Sequence, residues 1–241
     1  MEWCDQGILL GKTPFGETAV IVDALTQKNG RVRAVLRNGQ SRKFRSILQI
    51  GNILDITWRA RLSEHMGSVQ VDVIKSYPEI LDSRLTLAGV TTLSSMLTTF
   101  LEEREPHTQV YAATVKLHEL LIHPDIWCVG YFYWELALLD ALGFGLDVSK
   151  CVVSGDTENL EYLSPKSGCA VSQQAAGQWA DRLLLMPRIL MEKDKKTSDV
   201  FDGLLVLSYF WLNKVIPALD VKTIPMARQR FMDLMQRYTS V

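Results

Sequence analysis

Residues 18–37 read TAVIVDALTQKNGRVRAVLR, and their alternation decides how the first third of the chain folds. Two runs, Thr18–Leu25 and Arg31–Arg37, flank Gln27–Gly30. The Lys-Asn-Gly sequence there suits a hairpin turn, because Asn and Gly tolerate positive φ. In an extended strand successive side chains point to opposite faces. Arg31, Arg33 and Arg37 therefore share one face, and Val32, Ala34 and Leu36 share the other.

Working outward, Gly7–Lys12, Asn52–Ala60 and Ser68–Lys75 are also rich in Val, Ile, Leu, Thr and Trp. Turn residues separate the runs at Pro14–Glu17 and Ser63–Gly67, and a longer basic loop occupies Asn38–Gly51. Five short strands in residues 1–80 suit a small closed barrel of the OB-fold type. An SH3-like barrel or a small sandwich fits the same pattern. Leu54, Ile56 and Trp58 share one phase, so Trp58 belongs with the core and Arg59 with the outside.

Charge is unevenly placed. The chain has a formal net charge of −1, yet residues 31–45 hold five arginines and one lysine. Between Lys28 and Arg61 stand nine basic residues and a single acid, Asp55. A strand displaying Arg31, Arg33 and Arg37, continued by Arg42, Lys43 and Arg45 and flanked by Arg59 and Arg61, matches the repeating charge of a phosphodiester backbone. The plainer reading of such a run is a solvated face.

From Asp82 the period becomes helical. Leu85–Leu101, Gln109–Ile122 and Trp127–Leu142 read as helices, the last apolar on most faces and so central in a bundle. Residues 147–171 read as an irregular, cysteine-bearing segment. Helix is expected again over Gln173–Met186 with Ser172 as cap, over Asp199–Val215 with Ser198 as cap, and over Pro225–Tyr238, which would bury Phe231, Leu234, Met235 and Tyr238. The expected class is α+β, with an OB-fold over residues 1–80 and a helical domain over residues 81–241. The apolar runs Ile126–Leu146 and Gly203–Leu212 are interrupted by acids or too short for a bilayer, so no membrane partner is expected. The start MEWCDQGILL has acids where a signal peptide needs cations, and four scattered cysteines form no disulfide framework.

Catalytic and metal motifs fail on geometry. HELLIH (His118–His123) spaces its histidines five apart, about 140° around a helix, whereas zinc chelation needs a spacing of four. GFGLDV (Gly143–Val148) lacks the third glycine of a dinucleotide fingerprint and follows a helix, so it reads as a helix end. Cys151-Val-Val-Ser154 and Cys169-Ala-Val-Ser172 outline two C-x2-C knuckles with serine at each second position. Two thiolates do not complete a tetrahedral zinc shell. No cofactor, metal or catalytic residue is expected. An RNA-binding barrel linked to translation, or an enzyme assembled from distant residues, are the other classes open to this pattern.

GILLGKTPFGETAVIVDALTQKNGRVRAVLRNG, QIGNILDITWRARL and LLDALGFGLDVSKCVVSG, in that order, resemble the RecO family of bacterial DNA-repair proteins. The resemblance covers essentially the whole chain. It implies a non-enzymatic, cytoplasmic, nucleoid-associated mediator of recombination that binds single- and double-stranded DNA and anneals complementary strands. It also implies two protein partners: RecR, and the C-terminal tail of single-strand-binding protein. An acidic, apolar tail calls for a groove with a basic rim, for which Arg182, Arg188, Lys214, Arg228 and Arg230 are candidates. Many relatives hold zinc with four cysteines, and Ser154 and Ser172 depart from that pattern.

Overall fold

The computed structural model describes residues 1–62 and 64–239. Ser63, the first residue of the expected Ser63–Gly67 turn, lies outside the described residues. Five strands come first: β1 (Glu2–Phe15), β2 (Ala19–Thr26), β3 (Gly30–Leu36), β4 (Ile53–Arg59) and β5 (Ser68–Lys75), with one helical turn, α1 (Phe44–Ile47), between β3 and β4. They close in the order β1-β2-β3-β5-β4, with β4 returning to β1. The first unit is therefore an OB-fold ring, and the SH3-like and sandwich alternatives fall away.

Closure depends on β1, which runs longer than its apolar pattern indicated. Residues 2–8 pair with β4 and residues 7–15 with β2, with a bulge between Leu9 and Gly11. The start Glu2–Gln6, in which Glu2, Asp5 and Gln6 interrupt the apolar pattern, hides this strand from a hydrophobicity reading, because its pairing is made by backbone groups. Inside, Leu9, Val22, Val32, Ala34, Leu36, Leu54, Ile56, Trp58 and Val71 form one core. At about 25 cal/mol per Å2 of buried apolar surface, this inward row is the main stabilising term of the ring.

The Gln27–Gly30 hairpin is held by a buried carboxylate. Asp5 accepts from Lys28 N at 2.8 Å, Asn29 N at 3.2 Å and Asn29 Nδ2 at 2.8 Å. Of Asn29 and Gly30, only Gly30 takes positive φ, at 69°. A Cβ there would lie 2.2 Å from the Glu105 carbonyl oxygen, so glycine is required both by conformation and by space.

Two helices complete the first compact unit, Met1–Ile122 with Pro225–Phe231: α2 (Arg84–Phe100) and α3 (Thr108–Glu119). Ser83 caps α2 by accepting from Thr86 N at 3.1 Å. Compactness thus extends past the composition change near residue 80, because the segment after α2 is tied to the ring: Arg104 N donates to Arg31 O at 2.8 Å.

The second unit comprises His123–Ile224 and the chain from Met232. It begins with α4 (Pro124–Ala141), buried through Trp127, Tyr131, Phe132 and Leu138. The helix ends as expected at GFG, with Gly143 at φ 84° donating to Asp140 O. Residues 147–171 are less irregular than their sequence indicates. β6 (Leu160–Leu163) pairs with β7 (Ala170–Ser172) and with β8 (Leu184–Leu185) in a three-stranded sheet.

The expected helix over Gln173–Met186 is corrected. Ser172 does cap by accepting from Ala175 N, but α5 spans only Gln173–Ala176. A 3-10 stretch, Gly177–Arg182, follows and leads into β8, since Leu184 and Leu185 find better pairing against β6. Next come α6 (Arg188–Met191), α7 (Val200–Phe210), a wide turn over Trp211–Val215, and α8 (Ile216–Ala218). Ser198 is not the cap of α7: a 3-10 turn, Thr197–Asp199, precedes it, and Asp199 occupies the cap without a side-chain bond.

The continuous run Thr197–Ala218 is long and apolar enough to cross a membrane by length and composition. Leu204, Leu207, Phe210, Trp211 and Val215 are nevertheless buried in the protein, as in a core helix. Trp211 Nε1 donates to the buried Glu135 at 2.7 Å. The last helix, α9 (Met226–Thr239), buries Phe231 and Met235, but Tyr238 is exposed and donates its hydroxyl to Asp125 at 3.0 Å. Its expected place in the core is corrected, and Leu234 is only partly buried.

Candidate nucleic-acid interface

The eight basic residues singled out in the sequence fall into two environments. Arg31 faces outward from β3, as its phase requires, but is engaged. It donates to Asp23 at 2.9 and 2.7 Å, and to the carbonyls of Thr98 at 2.7 Å and Leu101 at 3.2 Å, where α2 ends. Arg33 lies 3.8 Å from Asp23 and 3.4 Å from Glu103. These two arginines join the ring to the segment after α2.

Arg37, Arg42, Lys43, Arg45, Arg59 and Arg61 are exposed. Arg37, Lys43 and Arg59 line one groove of about 480 Å3, with Leu36, Phe44, Thr57, Gln70 and the single acid Asp72. The β3–β5 junction forms its floor: Val35 meets Ser68 in parallel, and β5 continues along β4. Arg59 donates to Glu2 at 2.8 Å, both side chains being well exposed. Among the described residues no ion pair engages Arg37, Arg42, Lys43, Arg45 or Arg61.

The basic loop is held from beneath. Leu48 is buried, and Asn52, also buried, donates to the carbonyls of Ser46 at 2.9 Å and Ile47 at 3.0 Å. Lys12 Nζ donates to Leu48 O at 2.9 Å. Burial, with the charge of Arg45, holds the Lys12 ammonium below the ordinary lysine value. Lys12 therefore adds a cation to the cluster. The sequence reading missed it because it stands alone on a different strand, and nothing local associates it with residues 42–45.

Trp58 faces the core as its phase predicts, only 3 % exposed, and its indole N–H donates to Met66 O at 2.9 Å. His118 is buried, with Nδ1 placed 2.7 Å from Thr114 O. His123 lies outside the helix, at the cap position of α4. HELLIH thus brings no metal pair together. Of the bases proposed for a tail-binding rim, Arg228 is only 3 % exposed, which removes it from any rim. Arg182 stacks on Trp179 with its guanidinium 4.9 Å from the ring centre.

The Cys/Ser loop does not fit zinc. Ser154 Oγ donates to Asp156 at 2.5 Å and lies 3.5 Å from Ser172 Oγ. Ser172 is occupied as the cap of α5, and Ser154 N donates to the Cys151 sulfur at 3.4 Å. Cys169 turns its thiol to its own turn, toward Ser167 O at 3.7 Å. Two thiols and two hydroxyls already satisfied by protein partners make a poor tetrahedral donor set. Among the described residues no group of three or more His, Cys, Asp or Glu could hold a metal ion.

Together these features define an OB-fold protein with a cationic groove on its ring and a separate helical unit. Comparison with known families is consistent with that class. Residues 1–77 match the model described as recombination protein O N terminal, and residues 81–201 the one described as recombination protein O C terminal. Proteins named DNA repair protein RecO are similar over nearly their full length. The Cereibacter sphaeroides relative is 42 % identical over 238 residues, covering 98 % of this chain and 99 % of the relative. The Dinoroseobacter shibae relative is 41 % identical, with the same coverage. The chain belongs to the RecO family.

Proposed function

We propose that this chain is a recombination mediator. It binds single- and double-stranded DNA without reading sequence, anneals complementary strands, and helps place the recombinase on DNA coated by single-strand-binding protein, with RecR as partner. It acts by binding, without chemistry of its own, in the cytoplasm at the nucleoid. The observation that carries this reading is the groove of Arg37, Lys43 and Arg59, continued by Arg42, Arg45, Arg61 and Lys12. Spaced guanidinium groups pair phosphate oxygens bidentately and displace condensed counterions, which gives affinity independent of base sequence. Positive charge between two polyanions also lowers the repulsion that opposes annealing. Arg31 and Arg33 contribute to this field, while their bonds to Asp23 and Glu103 commit them first to the fold.

The test is the salt dependence of single-stranded DNA binding. Changing Arg37, Arg42 and Lys43 together to Ala removes up to three phosphate contacts, so the slope of log K against log salt should fall by about 2. Annealing of complementary strands, with and without single-strand-binding protein, should slow in parallel. An unchanged slope, or tighter binding to structured RNA than to DNA, overturns the reading.

A further inference from the structure

Next to the groove lies a second cleft of about 300 Å3, whose lining includes Glu2, Trp3, Lys28, Trp58 and Arg104. Its wall is a tryptophan pair. Trp3 on β1 and Trp58 on β4 are register partners, and their rings stack with centroids 5.5 Å apart and planes 13° from parallel. Trp3 is only partly buried, so the cleft keeps aromatic surface open to solvent. The Arg104 guanidinium sits 5.7 Å from the Trp58 ring centre and donates to His65 O at 2.5 Å. Lys28 supplies the other side-chain cation of the lining. Glu2 is the single acid there, and it is the carboxylate that Arg59 pairs at 2.8 Å.

That pair joins the two clefts, since Arg59 lines the basic groove and Glu2 lines the tryptophan cleft. A polyanion lying along Arg37, Lys43 and Arg59 is thereby led toward the tryptophan cleft. We propose that the cleft takes an unstacked nucleobase from single-stranded DNA, which packs against the open part of the Trp3 indole, backed by the buried Trp58, while Lys28 and Arg104 hold its flanking phosphates. The inference rests on the DNA-binding reading above and adds the property that distinguishes single strands from duplex: a base within a duplex is not available to the cleft. Aromatic surface and cations in one cleft also suit an acidic peptide bearing an aromatic side chain. Continuity with the basic groove favours the nucleotide, because a tail of a few acids has no use for the cations beyond Arg59.

The experiment uses the full chain and three probes: single-stranded oligothymidylate, an abasic oligonucleotide of equal length and charge, and an acidic peptide containing phenylalanine. The wild type should bind oligothymidylate more tightly than the abasic strand. Trp3→Ala should remove that preference, a loss of roughly 5- to 150-fold for one stacked base, while leaving abasic binding and its salt slope unchanged. Trp3→Phe should retain most of the preference. Photocrosslinking of an oligonucleotide carrying 5-iododeoxyuridine to the wild-type protein should map to the peptide holding Trp3, a readout that does not depend on how any variant folds. Equal affinity of the wild type for the thymidylate and abasic strands, or crosslinks confined to other peptides, overturns the cleft but leaves the phosphate groove intact. Protection of Trp3 by the peptide and not by DNA also overturns it. Absence of binding to either strand at low salt overturns both readings.

Discussion

Arg31 and Arg33 differ by two positions, share a face, and should behave very differently when neutralised. Arg31 makes two hydrogen bonds to Asp23 and two to carbonyls at the end of α2. The side chains of the Arg31–Asp23 pair are 13 % and 15 % exposed. Hydrogen bonds to charged groups contribute about 1.5–3 kcal/mol each, though not additively, and removing one partner of a buried pair costs about 3–5 kcal/mol. The residual exposure places Arg31→Met toward the lower end, at about 3 kcal/mol. Arg33 has a 37 % exposed side chain and longer contacts, so Arg33→Met should cost less than about 1 kcal/mol. Urea unfolding followed by tryptophan fluorescence and far-ultraviolet circular dichroism reads both. Adding Asp23→Asn to Arg31→Met should recover about 1–2 kcal/mol, because the carboxylate, left with only the more distant Arg33 at 3.8 Å, is then neutral. Equal costs for the two single variants, or no recovery in the double variant, would refute the assignment of Arg31 to the joint between the ring and α2.

Burial, aided by the charge of Lys75 and only partly opposed by the bond to Thr114 O, holds the His118 imidazole down at about 4. The unfolded chain therefore takes up a proton near pH 6.5 that the folded chain refuses. Stability should be full above pH 6.5 and fall by about 3 kcal/mol as pH drops toward 4, and His118→Leu should flatten that segment of a pH series of denaturation midpoints. Gly30→Ala should cost several kcal/mol, about 2–4, because the methyl group meets the Glu105 backbone at a positive φ; a cost under 1 kcal/mol in urea would show that the segment after α2 yields easily. Excess chelator should leave the melting temperature within about 1 °C, since the Cys/Ser loop offers two thiols and two protein-bonded hydroxyls in place of a full zinc donor set, and a larger drop, with zinc found by elemental analysis, contradicts the hydroxyl-bonded arrangement.

Some of this architecture was legible in single segments. The inward set Val32, Ala34 and Leu36, the core phase of Trp58, the Leu85–Leu101 helix and the turn after α4 all follow from periods of two or 3.6 residues and from the needs of a tight turn. The sheet of β6, β7 and β8 was not legible. Its strands are four, three and two residues long, and each acquires its conformation from a partner elsewhere in the chain. The helix expected over Gln173–Met186 was lost for the same reason, since Leu184 and Leu185 carry a helical pattern but pair as a strand. Tyr238 showed the limit of periodicity in another way: it lies in phase with Phe231 and Met235, yet the helix runs out into solvent there.

For the interface, the cationic character of the first third and the apolar inside of the ring were readable from residue order alone. Strand alternation and charge are local properties, set by backbone geometry and residue identity. Tertiary structure alone decided how that charge is used. Asp23, Thr98 and Leu101 engage Arg31, while Arg37, Lys43 and Arg59 converge on one groove and Trp3 meets Trp58 across β1 and β4. Each of these partnerships joins residues brought together by ring closure or by the return of α2. Coulomb attraction and desolvation act through space, so distances of a few ångströms between residues far apart in sequence settle which arginines hold the fold and which face the solvent.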